Sequence, residues 1–146
     1  MRMDLNCDLG EGAGHDAELM PLISSANIAC GAHAGDEATM RQSLELARAC
    51  GVAVGAHPGF PDRAHFGRRE REIAPRAAGQ LVREQAGRLR AMADGFGLVV
   101  SHVKLHGALY NQAARDAELA AGIVEAVWAE GWRPWLYVLA GSVLES

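Results

Sequence analysis

Five short apolar segments alternate with helical patterns along this chain, and that alternation restricts the fold more than any other feature of the sequence. The segments span residues 3–6, 25–29, 52–56, 98–103 and 135–140. Short apolar strands separated by helices are typical of βαβ units, in which crossover helices join parallel strands and cover the sheet. The sequence therefore predicts an α/β fold with about five parallel strands and crossover helices.

Four helical patterns accompany the predicted strands. They cover residues 16–22, about 36–50, a segment that begins at residue 75, and a segment over 116–131. Asp36 and Asp116 are predicted to be N-caps, because an aspartate accepts a hydrogen bond from a free N–H group of the first turn. Gly79 and Gly87 lie in the third pattern, where each is expected to cost the helix about 1 kcal/mol relative to alanine.

The size and charge of the chain exclude several classes of protein. A chain of 146 residues is predicted to form a single domain with one core. The formal net charge is −4, without the basic face that a nucleic-acid-binding protein needs. The sequence shows neither an apolar signal-peptide core nor an apolar run long enough for a membrane span, so no membrane partner is expected. Three widely spaced cysteines indicate reduced thiols, which predicts a cytoplasmic location.

Reactive side chains follow four of the predicted strands. In strand order they are Asn6, Asp8 and Glu11; Cys30, His33 and Asp36; His57 and Asp62; and Lys104, His106, Tyr110 and Asn111. Ligands of parallel α/β folds bind at the carboxyl ends of the strands, where the following loops meet. We therefore expect these side chains to share one rim of the sheet.

Two kinds of chemistry fit such a rim, and the spacing in the sequence does not separate them. Asp8, His33 and His57 are a ligand set that a catalytic divalent metal accepts, with a position left for water. Alternatively, carboxylates and histidines act as general acids and bases on an amide-like substrate, while Lys104 stabilises an oxyanion or a phosphoryl group. Cys30 is interpreted as a small buried residue rather than a nucleophile.

A structural interpretation is favoured for three further histidines, His15, His65 and His102. The first two lie in loops, and His102 alternates within the fourth predicted strand. Asp36 is expected to serve both as a helix cap and as part of the site.

Four ordered motifs resemble the A-subunit family of 5-oxoprolinase, also called the lactam utilisation protein B-like family. They are DLNCDLGEG at 4–12, SSANIACGAHAGD at 24–36, GVAVGAHPGFPDRAHFGRR at 51–69 and HVKLHGALYNQAARD at 102–116. The resemblance implies a (β/α) barrel of the glycoside hydrolase/deacetylase type. It also implies ATP-dependent opening of the lactam 5-oxo-L-proline to L-glutamate, with Mg²⁺ accompanying ATP, in a complex with subunits B and C.

The resemblance further implies roles for individual residues. The catalytic positions it carries over are Asp8, Glu11, His33, Asp36, His57, Lys104 and His106, and the substrate-binding positions are Asn6, Tyr110 and Asn111. We expect Asp8 or His57 to activate water and Lys104 to stabilise charge on the reacting group.

The length of the chain leaves other functions open. A (β/α) barrel typically needs about 250 residues, so residues 1–146 are interpreted as a single α/β domain that corresponds to the N-terminal part of such a barrel. Five strands leave an open edge, which predicts either a truncated chain or a partner that covers the opening. The alternatives are a non-catalytic binding or scaffolding subunit, in which truncation has abolished activity, and a metal-dependent amide hydrolase of the deacetylase type.

Overall fold

The computed structural model describes residues 3–145 and contains one five-stranded sheet in which the strands follow chain order. The strands are β1 (Asn6–Leu9), β2 (Ser25–Ala29), β3 (Ala53–His57), β4 (Val100–Val103) and β5 (Trp135–Leu136). All four neighbouring pairs are parallel. The order lacks the reversal that marks a doubly wound sheet and is instead that of a (β/α) barrel. The predicted α/β class with five parallel strands is confirmed.

Five α-helices connect and cover the strands in the described part of the chain. They are α1 (Asp16–Leu19), α2 (Glu37–Cys50), α3 (Pro75–Asp94), α4 (Gly107–Arg115) and α5 (Ala117–Val127). Both predicted N-caps are confirmed, since Asp36 accepts a hydrogen bond from the Thr39 N–H and Asp116 accepts one from the Leu119 N–H. No helix within residues 3–145 has the length and apolar character that crossing a membrane requires.

The first strand begins three residues later than the sequence predicts. Met3 and Leu5 suggested a strand over residues 3–6, but their side chains are 79% and 57% exposed. Pairing begins instead at Asn6, opposite Ser25. Asn6 and Asp8 therefore alternate within β1 rather than ending or following it, and they share one face of the sheet.

The third and fourth strands also differ from the prediction at their ends. The third is displaced by one residue, so that His57 ends β3 instead of following it. The fourth begins at Val100 rather than at residue 98. The fifth extends only over Trp135–Leu136 instead of 135–140, because the neighbouring strand β4 pairs with it at two positions only.

The helix α4 differs from the prediction, which has no helix directly after the fourth strand. No aspartate, serine or threonine marks its start, since the N-cap is His106 without a side-chain cap. The predicted helix over 116–131 ends earlier, at Val127, and a 3₁₀ turn at Ala129–Gly131 follows it. Because α4 spans Gly107–Arg115, Tyr110 and Asn111 project from a helix rather than from a loop.

Helices α3 and α5 approach each other closely at two glycines. A Cβ atom added to Gly79 would lie 2.3 Å from the carbonyl oxygen of Gly122, and one added to Gly122 would lie 2.6 Å from the carbonyl oxygen of Pro75. Contacts this short to backbone atoms would force the helices apart. Gly79 is therefore a packing requirement, in addition to its helix penalty, whereas Gly87 on the same helix has no atom within 4 Å of an added Cβ.

The two glycines of α3 predict opposite responses to one substitution. Gly79→Ala should lower the free energy of unfolding by about 1–3 kcal/mol, because the methyl group overpacks the α3–α5 contact. Gly87→Ala should raise it by about 0.5–1 kcal/mol, because alanine favours the helix and meets open space. Urea denaturation of both variants measures the difference, and equal stabilisation by the two would contradict the close approach.

Candidate active site

Three histidines and one glutamate converge at the carboxyl ends of the first four strands. Glu11 follows β1, His33 follows β2, His57 ends β3 and His106 follows β4. One ligand atom from each lies within 4.8 Å of the others. The histidines are only 1%, 1% and 5% exposed, in chain order. These four residues, hereafter the histidine cluster, form a group that can hold a metal ion.

The cluster differs from the ligand set suggested by the sequence. His33 and His57 belong to it as expected, but Glu11 takes the place of Asp8, and His106 is added. Asp8 instead approaches the cluster from one side, with its Oδ2 atom 3.4 Å from Nε2 of His57.

A single oxygen of Glu11 contacts the three histidines. Its Oε1 atom lies 3.0 Å from Nε2 of His33, 3.1 Å from Nδ1 of His106 and 3.6 Å from Nε2 of His57. Burial alone would raise the pKa of Glu11, but the contacts with His106 and His33 outweigh it and hold that pKa far below its usual range. Burial also lowers the pKa of His57 and His33. The cluster therefore combines an ionised carboxylate with two imidazoles, those of His33 and His57, that resist protonation.

Beside the cluster lies an ion pair between Asp8 and Lys104. The Nζ atom of Lys104 is 2.8 Å from Oδ1 of Asp8, and Asn27 donates a second hydrogen bond to the same oxygen at 2.8 Å. Although burial opposes ionisation, the electrostatic interaction with His57 and the hydrogen bond and charge of Lys104 lower the pKa of Asp8. Lys104 is the only lysine among the 146 residues of the chain, whose other basic side chains of fixed charge are all arginines.

A cavity of about 370 Å³ opens on this ion pair and on part of the histidine cluster. Its polar lining side chains are Asp8, His57, Arg68, Lys104, His106, Tyr110 and Asn111. A larger cavity of about 540 Å³ is lined by Asp36 and Arg63 but by none of the clustered histidines. Because the smaller cavity is lined by cationic side chains, one carboxylate and two imidazoles, we identify it as the candidate active site.

Three other residues singled out in the sequence occupy different positions. Asn6 is close to the ion pair, since its Oδ1 atom lies 3.4 Å from Nζ of Lys104. Asp36 caps α2 and lines the larger cavity, so the structure does not bring it together with the histidine cluster. Cys30 is fully buried, and burial raises its pKa to about 12, which fits its interpretation as a packing residue.

Asn27 and His102 support the site from behind, although neither was predicted to have a functional role. Asn27 donates to Oδ1 of both Asn6 and Asp8, and its own Oδ1 accepts from Nε2 of His102 at 2.9 Å. The His102 ring also stacks on Tyr137, with centroids 4.3 Å apart. An asparagine in the middle of an apolar strand was the available signal, because a buried amide requires hydrogen-bond partners.

His102 predicts a pH dependence of stability. Burial lowers its pKa from 6.5 to about 4, although Asp4 opposes the shift and Lys104 adds to it. The unfolded chain therefore binds a proton that the folded chain does not, and stability falls as the pH drops from 6.5 to about 4. A fully realised shift corresponds to about 3 kcal/mol.

The variant His102→Gln keeps a donor toward Asn27 and removes the titrating group. Its free energy of unfolding should fall less steeply over the same pH interval than that of the parent protein, in urea titrations at several pH values. His15→Gln, at an exposed position, is the matched control and should leave the slope unchanged. Identical slopes for His102→Gln and the parent would contradict the prediction.

Comparison with known proteins places this chain in a family. The sequence pattern of the LamB/YcsF family matches residues 3–146. The chain is 51% identical over 148 aligned positions to the 5-oxoprolinase A-subunit of Tolumonas auensis, covering 98% of this chain and 59% of that protein.

A solved structure gives the same result. The crystal structure of the lactam utilization protein from Thermus thermophilus matches with a TM-score of 0.95 and 49% identity, covering 99% of this chain and 61% of that one. The chain thus spans about three fifths of the length of these relatives. The resemblance predicted from the four motifs is confirmed, and the chain belongs to the LamB/YcsF family.

Proposed function

We propose that this chain acts as the A-subunit of an ATP-dependent 5-oxoprolinase, which converts 5-oxo-L-proline to L-glutamate together with subunits B and C. The observation that carries the proposal is the Asp8–Lys104 pair on the wall of the cavity, in a chain that closely resembles a 5-oxoprolinase A-subunit. A second support is the buried histidine cluster directly beside that pair.

The chemistry explains why ATP is required. A lactam carbonyl is a poor electrophile, and transfer of the γ-phosphoryl group of ATP to its oxygen, with release of ADP, activates the ring carbon. Water then adds to that carbon and the ring C–N bond breaks, which leaves an amine and an acyl phosphate. A second water releases phosphate and gives glutamate. Mg²⁺ enters as the counterion of ATP.

Each step needs a group of a kind that the cavity provides. Lys104 stabilises the negative charge on the activated oxygen. Asp8 accepts the proton of the attacking water, a role we assign to it rather than to His57, because 34% of the Asp8 side chain is exposed but only 1% of the His57 side chain. Arg68 pairs with the ring carboxylate of the substrate.

The remaining cavity residues bind the substrate in this proposal. Asn6 supports Lys104, while Tyr110 and Asn111 contact the lactam from α4. Glu11, His33 and His106 set the electrostatics behind the reacting groups. Residues 1–146 act as one α/β domain, corresponding to the N-terminal part of a longer barrel, and the reaction takes place in the cytoplasm.

Reconstitution with partner subunits tests the proposal. The purified chain is combined with subunits B and C of a related 5-oxoprolinase, and 5-oxoproline-dependent formation of ADP and glutamate is measured. Omission of the chain is the blank, and a full-length A-subunit with the same partners is the positive control. Activity above the blank supports the proposal. A blank-level rate beside an active control overturns it and favours a binding or scaffolding role.

The histidine cluster favours a second candidate, a metal-dependent amide hydrolase of the deacetylase type. Such an enzyme would hydrolyse an amide without ATP and would lose activity to a chelator. The same assay with ATP omitted separates the two functions, because only the second produces glutamate under that condition.

A further inference from the structure

The hydrogen bonds of two clustered histidines fix which ring nitrogens carry hydrogen. Nδ1 of His57 lies 2.7 Å from the carbonyl oxygen of Lys104, and Nε2 of His106 lies 2.8 Å from the carbonyl oxygen of Phe66. A carbonyl oxygen only accepts hydrogen bonds, so each of these nitrogens is the N–H donor. In the neutral rings, the opposite nitrogens, Nε2 of His57 and Nδ1 of His106, are therefore bare acceptors.

Those two bare acceptors point at each other and at a carboxylate. Nε2 of His57 and Nδ1 of His106 are 2.9 Å apart, and Oε1 of Glu11 is 3.6 Å from the first and 3.1 Å from the second. Three electron-rich atoms at such distances, in a buried site, repel one another. A cation among them turns that repulsion into attraction.

The distances and the surroundings favour a metal ion as that cation. Ligand atoms bonded at about 2.0–2.1 Å in a tetrahedral site lie about 3.3 Å apart, close to the three observed separations. In addition, metal-bound histidines characteristically donate their second N–H group to a carbonyl or carboxylate, and both His57 and His106 do so here. Two imidazoles and one carboxylate suit Zn²⁺ or a similar transition metal, whereas Mg²⁺ and Ca²⁺ prefer oxygen ligands.

His33 has a different place in the cluster. Its ring stacks on that of His106 with centroids 3.7 Å apart, and its Nδ1 atom is buried without a hydrogen-bond partner among the described residues. A bare nitrogen is less costly there than an unpaired N–H group. Nε2 of His33 therefore carries the hydrogen and donates it to Glu11, 3.0 Å away.

We propose that Glu11 Oε1, His57 Nε2 and His106 Nδ1 bind one divalent transition-metal ion of the Zn²⁺ class, with His33 orienting the glutamate. His57 and His106 line the cavity, which gives the ion access to a water molecule or a substrate oxygen as its fourth ligand. All the protein ligands lie on this chain. The site therefore stands independently of the reaction proposed above, and it can be tested without substrate or partner subunits.

Metal titration of the purified protein, prepared without a histidine tag, tests the site directly. The parent protein should bind one Zn²⁺ per chain in equilibrium dialysis, and Co²⁺ should give the visible absorption of a site with low coordination number. Glu11→Gln, which preserves the shape of the side chain, and His106→Ala should each weaken Zn²⁺ binding at least about 100-fold. The same concentration of Mg²⁺ should displace little Zn²⁺.

His15→Ala, outside the cluster, is the control and should bind Zn²⁺ like the parent. Circular dichroism confirms that each variant is folded before titration. The proposal is overturned if the parent protein binds Zn²⁺ no more tightly than folded Glu11→Gln. It is also overturned if Co²⁺ mixed with the parent protein keeps the absorption spectrum of the hydrated ion. A proton shared by His57 and His106 would then be the cation between them.

Discussion

Lys104→Ala is expected to lower the rate of 5-oxoproline-dependent glutamate formation by about 100- to 1,000-fold in the complete three-subunit assembly. The side chain places the only lysine ammonium of the chain on the cavity wall, 2.8 Å from Asp8. Its loss would leave the Asp8 carboxylate without its main cationic partner, and in the proposed mechanism it would remove the positive charge opposite the activated oxygen. The measurement is the steady-state rate of glutamate release, with the unfolding midpoint as a check on folding.

Two variants sharpen this prediction. Lys104→Arg keeps the charge but replaces a compact ammonium with a planar fork, so it should recover only part of the activity. Arg76→Ala removes a cation at an exposed position on α3 and should leave the rate unchanged. Full activity in folded Lys104→Ala would exclude the role of Lys104 in charge stabilisation.

The uniqueness of Lys104 allows an independent measurement. An amine-specific acylating reagent has only two targets in this chain, Lys104 and the terminal amino group. If the substrate binds in the cavity, 5-oxoproline should slow the labelling of Lys104, as seen by peptide mass spectrometry, and should not protect the terminal amine. Equal labelling with and without substrate would contradict binding beside Lys104.

Gly55→Ala is expected to destabilise the protein by about 3 kcal/mol or more, or to prevent folding. A Cβ atom at Gly55 would lie 2.1 Å from Nε2 and from Cδ2 of the His102 ring. That ring is held by its hydrogen bond to Asn27 and by stacking on Tyr137, so moving it aside would break both contacts. Displacing it would also release Asn27 from His102 and loosen the support of Asp8.

A double-mutant cycle identifies the cause. In the His102→Ala background the ring is absent, and the methyl group of Gly55→Ala occupies part of the vacated space. Gly55→Ala should therefore be far less destabilising there, with an interaction energy of about 2 kcal/mol or more between the two positions. Urea denaturation of the four proteins gives this energy, and additive effects would show that His102 does not impose the glycine.

Local patterns were sufficient for the fold class and for several elements. The apolar run 25–29 is a strand with the predicted ends, and Asp36 caps α2 as expected. These features depend on short-range periodicity and on a side chain bonding a nearby N–H group, both of which are legible in the sequence. The rim itself was also predictable, because the carboxyl ends of neighbouring parallel strands lie on the same edge.

The pattern was misleading where long-range contacts decide the outcome. Met3 and Leu5 resemble strand residues but are exposed, and Gly79 resembles a weak point of a helix but permits the α3–α5 contact. The helix α4 has no side-chain cap to mark its start. Pairing register and helix–helix distance depend on partners that are distant along the chain, so no local window contains them.

The sequence by itself determined the α/β class and the family, and it indicated the strand ends after which polar residues gather. Only the tertiary structure decided how those residues combine: Glu11 with His33, His57 and His106 in one group, and Asp8 with Lys104 in another. Residue spacing says which strand end a side chain follows, but the strand twist and the hydrogen bonds of each ring set where its atoms point. Those bonds turn two histidines toward each other and toward Glu11, and that convergence of acceptors creates the proposed metal site.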